Sequence, residues 1–348
     1  MTASKSKQGE RIAKKIARAG LCSRREAEQW IAAGRVAVNG TPIVSPAVNV
    51  TAADRVSVDG SPLPERERTR LFLYHKPRGL VTTASDPQGR PTIFAALPKH
   101  LPRLISVGRL DLASEGLLLL TNDGALARVL ELPQTGWLRR YRVRAHGRVT
   151  QAALGALANG ITVEGIRYGP IEARLDREQG SNVWLTLGLR EGKNREVRNV
   201  LAALRLEVNR LIRISFGPFQ LGELPPDAIE EVKTRVLREQ LGARVAQAAG
   251  ADFSAPVREQ TRADQPTPLP GVPAARARRG DPNPPPQGGR ERAAGASREP
   301  EKIRRGLLED RKGRRVPVER IGAASEERAP KRRPRRYHGR NARKRGRP

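Results

Sequence analysis

The sequence predicts an α+β protein in three segments: a small domain at residues 9–68, a larger domain at 70–245 and a disordered basic tail at 246–348. Three observations support this prediction. Strand-like and helix-like stretches are mixed in the middle of the chain without the strict alternation of a parallel βαβ fold. Asn-Gly and Asp-Gly turns close short strands near the N-terminus. After residue 245, charged residues and proline replace apolar ones.

The first segment is predicted to contain two helices followed by a small sheet. Apolar residues in "RIAKKIARAG" (11–20) recur with the period of a helix, which ends at a glycine. Ser23 and Glu26 have the spacing of a capping box at the start of a second helix. "VAVNG" (36–40) and "VSVDG" (56–60) predict two short strands, each followed by a tight turn.

The middle segment carries most of the apolar periodicity and predicts a mixed, largely antiparallel sheet packed against helices. It is long enough to bury a core of its own. Asp123 is expected to cap one of its helices. The predicted strands are "LFLYH" (71–75), "LLLL" (117–120), "RYRVRA" (140–145) and "VWLTLGL" (183–189), and the predicted helices are "ALARVLEL" (125–132), "TQAALGALANG" (150–160) and "REVRNVLAAL" (195–204).

The last segment has the composition of a disordered polycation. Residues 251–348 hold 27 Lys and Arg against 12 Asp and Glu, together with 14 of the 28 prolines. Such a segment cannot bury enough apolar surface to offset the entropy lost on ordering. We therefore expect residues 246–348 to form a disordered basic tail.

The charge of the whole chain indicates a polyanionic partner. Lys and Arg number 66 against 36 Asp and Glu, a formal charge of +30. A charge of this size favours RNA or DNA over a membrane surface. Cys22 is the single cysteine, which excludes an intramolecular disulfide, and the four histidines lack the spacing of a metal site. The sequence therefore predicts a nucleic-acid partner and no metal.

The chain is expected to be a cytoplasmic monomer without membrane contact. No apolar run approaches the roughly 20 residues that a membrane helix needs. The polar N-terminus lacks the apolar core of a signal peptide. One cysteine also fits a reducing compartment.

Two arginines open the predicted second helix. Arg24 and Arg25 lie in its first turn, where the positive end of the helix dipole disfavours cations. They are either solvated side chains on an exposed turn or part of a phosphate site built with the helix N–H groups. The basic chain favours the phosphate site.

The stretch "GRLDLASEGLLLLTNDG" (108–124) places a carboxylate, Asp111, just before four leucines. Aspartates often cap helices or form turns, so a simple turn is one explanation. However, Arg109 is close by, and the following strand is expected to be buried on both faces. A carboxylate in that position must be paired or solvated in a cleft, because an isolated buried charge is very costly. Asp111 is therefore a candidate functional residue.

The helix predicted to begin near Asn194 offers a partner for Asp111. Arg195 and Arg198 flank its apolar stripe at the N-terminal end, where cations do not stabilise an isolated helix. An arginine there would keep Asp111 ionised and oriented.

The ordered string "RIAKKIARAGLCSRREAEQWIAAGRVAVNG" (11–40) resembles the S4 RNA-binding domain. The resemblance implies a structured RNA as the partner, recognised mainly by its shape and backbone. It also implies that Arg24 and Arg25 contact RNA.

The larger domain resembles the RsuA/RluB-type pseudouridine synthases, and with the S4-like segment the match covers roughly residues 9–235. Several blocks in the same order are more specific than one short motif. One departure is Arg139, where the family usually has lysine, and "LPPDAIEEV" near the end is looser than the family pattern. The matching blocks are "HKPRGLVTTASDPQGRPTIFAALP" (75–98), "VGRLDLASEGLLLLTNDG" (107–124), "RRYRV" (139–143) and "EGKNREVRNVL" (191–201).

The resemblance implies three catalytic roles. Asp111 would be the nucleophile or base that acts on the target uridine, so that the base detaches, rotates and rejoins through carbon. Tyr141 would stack on the flipped uracil and assist proton transfer, although a tyrosine in a strand is also an ordinary core residue. Arg198 would pair with Asp111, the alternative being a solvated arginine on a helix.

The resemblance also implies RNA contacts. Arg109 would fill the gap that the flipped uridine leaves, while Lys76 and Arg195 would touch the RNA backbone; each of the three is also explained as an ordinary residue of a turn or helix. Isomerisation needs no redox partner or group donor, so no cofactor is expected. The target base must leave its stack, as bases usually do in such enzymes.

The resemblance is greatest to the RluB type, which acts on large-subunit ribosomal RNA, with ribosomal RNA or a ribosomal assembly intermediate as partner. An RsuA-like enzyme acting on small-subunit RNA is the nearest alternative. A non-catalytic S4-type RNA-binding or ribosome-assembly protein would not need Asp111, Tyr141 and Arg198 together. A glycosidase would need a second acid, and Glu115, four residues from Asp111, is not marked as one.

Overall fold

A computed structural model describes residues 9–257 and the backbone of two strands further along, 304–309 and 315–321. Within these residues the predicted α+β architecture is confirmed. The N-terminal domain consists of β1 (Glu10–Arg11), α1 (Ile12–Arg18), α2 (Arg24–Ala32), β2 (Val36–Val38), β3 (Thr41–Ile43), β4 (Asn49–Val50), β5 (Val56–Val58) and β6 (Ser61–Pro62).

Local sequence signals account for this small domain. Ser23 Oγ accepts a hydrogen bond from the amide of Glu26 at 3.1 Å, and the Glu26 carboxylate accepts one from the amide of Ser23 at 2.7 Å. The capping box is therefore present. Asn39 and Gly40 both have positive φ, 52° and 83°, as a two-residue hairpin turn requires. Both helices and the sheet enclose one apolar core.

The larger domain is built on a long sheet with helices on both faces. Two 3-10 helices, Pro133–Thr135 and Ala156–Asn159, connect its elements. The elements are β7 (Leu71–Lys76), α3 (Ile93–Ala96), β8 (Ile105–Ser106), β9 (Glu115–Thr121), α4 (Gly124–Glu131), β10 (Arg139–His146), α5 (Gln151–Gly155), β11 (Ile161–Val163), β12 (Ile166–Tyr168), β13 (Ile171–Gln179), β14 (Asn182–Leu189), α6 (Glu196–Ala203), β15 (Glu207–Phe216), β16 (Phe219–Gln220), β17 (Ile229–Glu231) and α7 (Thr234–Ala249).

The main sheet has the strand order β13-β14-β10-β15-β9-β7-β17. Its neighbours pair antiparallel except β9 and β15, which run parallel. Every residue of β9 is buried, as expected for the leucine run. The prediction of a mixed, largely antiparallel sheet is therefore confirmed.

Alternate residues of β9 face two different cores. Leu118 and Leu120 belong to the core that includes α5 and α6. Leu117 and Leu119 belong to the core under α4 and α7 on the opposite face. The helix α4 begins as predicted, because Asp123 accepts a hydrogen bond from the amide of Ala125.

The disordered tail was predicted to begin at residue 246. This boundary is wrong, because the described chain remains folded beyond it. Helix α7, which is kinked at Gly242, continues to Ala249, and Ala249 is 3% exposed in the core under the sheet. The amide of Thr69 donates to the carbonyl oxygen of Asp252 at 2.6 Å, so the chain still packs there. Apolar residues of α7 at helical spacing extend past the point where the average composition changes.

Two strands also lie in the region predicted to be disordered. They are β18 (Arg304–Glu309) and β19 (Arg315–Ile321), which pair with each other, and β19 also pairs with β17. Main-chain pairing does not depend on the apolar composition from which disorder was predicted. The rest of the predicted tail, residues 258–303, 310–314 and 322–348, lies outside the described residues.

Candidate active site

A cleft of about 1030 Å³ opens on the sheet face that carries Tyr141. It is lined by residues of the loops 81–90 and 106–114, of the segment 189–198 and of the strands β10 and β15. Ligand sites in proteins usually measure about 300–1,000 Å³. The cleft therefore has room for a nucleotide and part of its surroundings.

The loop that carries Asp111 is held through its main chain. Thr82 Oγ1 donates to the carbonyl oxygen of Leu110 at 2.8 Å. The amide of Gly79 donates to the carbonyl oxygen of Leu112 at 2.9 Å. The Asp111 carboxylate itself is exposed and forms no hydrogen bond or ion pair with the described residues. A fixed backbone thus presents a carboxylate to the cleft.

Lys76 supports the same loop from beneath it. Its side chain is 0% exposed, and Nζ donates to the carbonyl oxygens of Ser114 and Pro77, each at 2.9 Å. Burial lowers the pKa of Lys76 to about 8, while the nearby carboxylates of Asp111 and Glu115 act in the opposite direction. The predicted contact of Lys76 with the RNA backbone is wrong, because its ammonium group is enclosed by protein.

A close approach of two strands fixes the position of the Asp111 loop. Gly116 in β9 lies opposite Arg213 in the parallel strand β15 and has a φ of 106°. A Cβ at Gly116 would lie 2.6 Å from the amide nitrogen of Arg213. Only glycine permits this contact. It joins the end of the Asp111 loop to β15, which pairs with the strand that carries Tyr141.

Tyr141 lies in the middle of the cleft wall. It is 9% exposed and stands opposite Leu187 of β14 and Arg213 of β15 in the strand pairing. Arg139 and Tyr141 line the cleft on the same face of β10. A ring held this firmly between strands fits the stacking role predicted for Tyr141, which stays a prediction.

Arg139 uses its planar guanidinium group in a way that lysine could not. The guanidinium carbon lies 4.7 Å from the centre of the Phe216 ring, and Nη1 donates to the carbonyl oxygen of Arg190 at 2.7 Å. Arg139 is 7% exposed, and burial lowers its pKa. The residue therefore stabilises the wall of the cleft by stacking.

Arg198 faces Asp111, but the predicted ion pair between them is absent from the described residues. Nη1 of Arg198 instead donates to the carbonyl oxygen of Val208 at 3.1 Å. Burial lowers the pKa of Arg198, the charges of Arg195 and Arg78 lower it further, and Asp111 raises it. Arg198 and Asp111 therefore interact through space, without a direct contact.

Two further arginines, Arg109 and Arg195, line the cleft, and a third, Arg78, acts on Arg198 through its charge. Helix α6 begins at Glu196, close to the start predicted for it, and Arg195 precedes it with a left-handed φ of 49°. Such a backbone is uncommon outside glycine and is often found at functional sites. Arg195 and Arg109 are exposed cleft residues, as their predicted RNA contacts require. Arg78 was missed because "KPRG" was explained as a turn; it is exposed and interacts with Arg198.

Arg24 and Arg25 lie apart from the residues that line the cleft. Both are exposed in the first turn of α2, immediately after the capping residue Ser23. Free guanidinium groups next to helix N–H groups suit a phosphate. Their contact with RNA stays a prediction.

A pair of glutamates at the cleft was also missed. Glu196 is 3% exposed; its Oε2 accepts a hydrogen bond from the amide of Lys193 at 3.0 Å, and its Oε1 is buried with no donor among the described residues. Burial raises the pKa of Glu196 to about 7, and the charge of Glu191 adds to the shift. Near neutral pH, Glu196 is therefore only partly ionised. Nothing local in "EGKNREVR" indicates this burial.

Replacing Glu196 with Gln is expected to flatten the pH dependence of stability. The pKa of Glu196 rises on folding from 4.5 to about 7, so its contribution is complete below pH 4.5 and is lost as the pH rises to about 7. The loss is on the order of 3 kcal/mol, because each pKa unit is worth about 1.4 kcal/mol. Urea unfolding between about pH 4 and about pH 8 would measure it. Glu239→Gln, at an exposed position of α7, should keep the wild-type slope; the same slope in Glu196→Gln would contradict this account.

Glu115 is not available as a second catalytic acid. Its two carboxylate oxygens accept hydrogen bonds from Nε and Nη2 of Arg210, both at 2.9 Å. This contact lowers the pKa of Glu115, so the carboxylate stays ionised. The arrangement does not support a glycosidase built on Asp111 and Glu115.

Other chemical features of the described residues are few. No group of His, Cys, Asp or Glu side chains in that part of the chain is arranged to hold a metal ion. None of its helices combines the length and apolar character needed to cross a membrane. Cys22 is buried, and burial raises the pKa of its thiol to about 12, which keeps the thiol protonated.

The cleft combines the exposed carboxylate of Asp111 with the side chains of Arg109, Arg195 and Arg198. A family model described as RNA pseudouridylate synthase matches residues 70–203, and an S4 domain model matches residues 10–56. The chain is 45% identical over 230 residues to an uncharacterized RNA pseudouridine synthase of Rickettsia felis, covering 66% of this chain and 100% of that protein. The chain belongs to the RNA pseudouridine synthase family.

Two further matches cover a similar share of this chain. The ribosomal large subunit pseudouridine synthase B of Shigella flexneri is 40% identical over 240 residues, which cover 66% of this chain and 83% of that protein. A crystal structure described as that of a pseudouridylate synthase is 29% identical and covers 67% of this chain and all of that chain, with a TM-score of 0.48.

Proposed function

We propose that the protein converts a specific uridine of large-subunit ribosomal RNA to pseudouridine. The observation that carries the proposal is the exposed Asp111 carboxylate, held on a braced loop in the same cleft as Tyr141 and Arg198. The relative named for the large ribosomal subunit supports the choice of RNA. The RsuA-like and non-catalytic alternatives are outcomes of the test below.

The reaction exchanges one bond to the sugar for another. Asp111 acts on the flipped uridine, and the bond between the ribose C1′ and N1 of uracil breaks. The base then rotates, and its C5 forms a bond to C1′. C5 loses its proton, and N1 gains one. Tyr141 stacks on the base, and the positive charge of Arg198 acts on the Asp111 carboxylate through space, without a direct contact. Arg109 occupies the gap in the RNA.

The S4 domain supplies a second RNA-binding site, separate from the cleft. Arg24 and Arg25 bind phosphates at the start of α2. The partner is ribosomal RNA or a ribosomal assembly intermediate, and the protein acts on it as a monomer in the cytoplasm. Recognition by shape and backbone leaves the choice of uridine to the cleft.

Release of tritium from RNA labelled at C5 of uridine tests the function, because the reaction removes the hydrogen at that carbon. The purified chain is incubated separately with labelled large-subunit and small-subunit RNA. We expect release from large-subunit RNA alone. Release from small-subunit RNA alone would establish the RsuA-like alternative, and RNA binding without any release would establish the non-catalytic one.

A further inference from the structure

The sheet has a strongly basic face on the side opposite to the cleft. Burial alternates along β10. Arg139, Tyr141 and every second residue after them are buried on the cleft side, and the residues between them are exposed on the other side. We call the set on this side the rear basic face. It consists of the exposed Arg140, Arg142 and Arg144 of β10, Arg174 and Arg177 of β13 and Arg210 of β15, together with the half-buried Trp184 of β14.

Strand pairing brings these side chains together. Arg144 stands opposite Trp184 on one side and Arg210 on the other, and Trp184 stands opposite Arg177. Directly opposite residues project from the same face of a sheet, with neighbouring strands about 4.8 Å apart. One row across four strands therefore carries three arginines and a tryptophan.

Most of this charge is not neutralised by the protein. Arg210 is paired with Glu115, and Arg174 is paired with Asp176. In contrast, Arg142, Arg144 and Arg177 form no ion pair with any described residue. Arg140 forms none either, but the exposed carboxylate of Glu172 stands in the same row, across Gly188. Like charges this close repel one another, so an anion bound between them would relieve the repulsion.

Trp184 orders two of the unpaired arginines. The guanidinium carbons of Arg142 and Arg177 lie 4.9 Å and 5.6 Å from the centre of its ring. Stacking on the indole limits the conformations of both side chains, which lowers the entropy lost when they bind a ligand. The rear basic face is thus preorganised to bind an anion.

The positive charge of the rear basic face favours a negatively charged partner. Helices α4 and α7 pack under a different part of the sheet, around β7 and β9, and leave the arginines exposed. The C-terminal residues 251–348 are themselves strongly cationic, and a second copy would present the same arginines. Both would be repelled, whereas RNA carries a negative charge on every nucleotide.

We propose that the rear basic face binds the phosphate backbone of a second RNA segment, remote from the segment that enters the cleft. The proposal rests on the proposed function only for the choice of ribosomal RNA as the polyanion. An RNA held on both faces of one sheet must pass around its edge. The preferred substrate is therefore a large folded RNA and not an isolated hairpin.

The test compares two triple variants for binding to intact large-subunit RNA at several salt concentrations. In Arg142→Gln/Arg144→Gln/Arg177→Gln the rear basic face loses three of its unpaired arginines. In the control, three exposed arginines of α7 are replaced in the same way, at positions 235, 238 and 244. We expect the first variant to bind about tenfold more weakly near 0.1 M salt, with a salt slope smaller by about 2, and the control to bind within about twofold of wild type.

Two further measurements separate the loss of phosphate contacts from misfolding. Lysine at the same three positions should restore most of the binding, and a thermal unfolding curve like that of the wild type should show that the glutamine variant folds. A short hairpin of about 25 nucleotides should bind both triple variants equally, since it cannot reach both faces.

Any of three results would overturn the proposal: equally weak binding by the control variant, equally weakened binding of the hairpin, or unchanged binding to intact RNA. In the last case the rear basic face serves another partner, such as an acidic protein. These binding measurements do not depend on turnover. They remain decisive even if the tritium experiment fails.

Discussion

Replacing Asp111 with Asn is expected to lower the rate of pseudouridine formation at least about 1,000-fold, a loss typical of removing the group that forms or breaks bonds. Asparagine has nearly the same shape but no negative charge. The loop should keep its conformation, because Thr82 and Gly79 hold its main chain and not the side chain of residue 111. RNA affinity should therefore stay within about twofold of wild type.

Single-turnover tritium release at saturating RNA would measure this effect, with RNA affinity measured in parallel. Glu239→Gln, on the exposed surface of α7, removes one carboxylate elsewhere and should retain full activity. Substantial activity in Asp111→Asn would remove Asp111 from the catalytic role. Loss of RNA binding together with activity would instead assign Asp111 to binding.

Replacing Gly116 with Ala is expected to destabilise the protein by about 4 kcal/mol or more. Two effects add: the left-handed φ of 106° strains any other residue, and the new Cβ would meet the backbone of Arg213 on the neighbouring strand. Backbone atoms cannot rotate away as the end of a side chain can, so β9 and β15 must separate. Separation would also displace the Asp111 loop, and activity should fall with stability.

Urea unfolding of the purified variant would measure the free energy of unfolding. Gly165→Ala is the matched control, because Gly165 also has a positive φ, 77°, but a Cβ there would meet no described atom within 4 Å. That variant should lose only about 1 kcal/mol from backbone strain. Similar losses in the two variants would show that the contact with Arg213 contributes little.

Elements set by local sequence were predictable. The capping box at Ser23, the Asn39-Gly40 turn and the Asp123 cap each depend on residues within a few positions of one another. The buried leucine strand was equally clear from its composition. Asp111 and Tyr141 were recognised as candidates because their motifs are contiguous, and the structure places both in one cleft.

Features that depend on distant contacts were not predictable in this way. Lys76 has the sequence neighbours of a surface turn, yet the loop around Ser114 covers it. Glu196 looks like a solvated first-turn acid until the fold buries it beside Glu191. The composition after residue 245 was averaged over the whole C-terminal segment. That average did not reveal the few apolar residues with which α7 continues to Ala249.

The hydrogen bonds that hold the Asp111 loop have a practical consequence for redesign. Thr82, Gly79 and Lys76 all bind main-chain atoms of the loop, so its geometry does not depend on the side chains at 112 and 113. Leu112 is 41% exposed beside the carboxylate. A library randomised at these two positions can therefore be screened for altered preference among neighbouring nucleotides while the Asp111 carboxylate keeps its position.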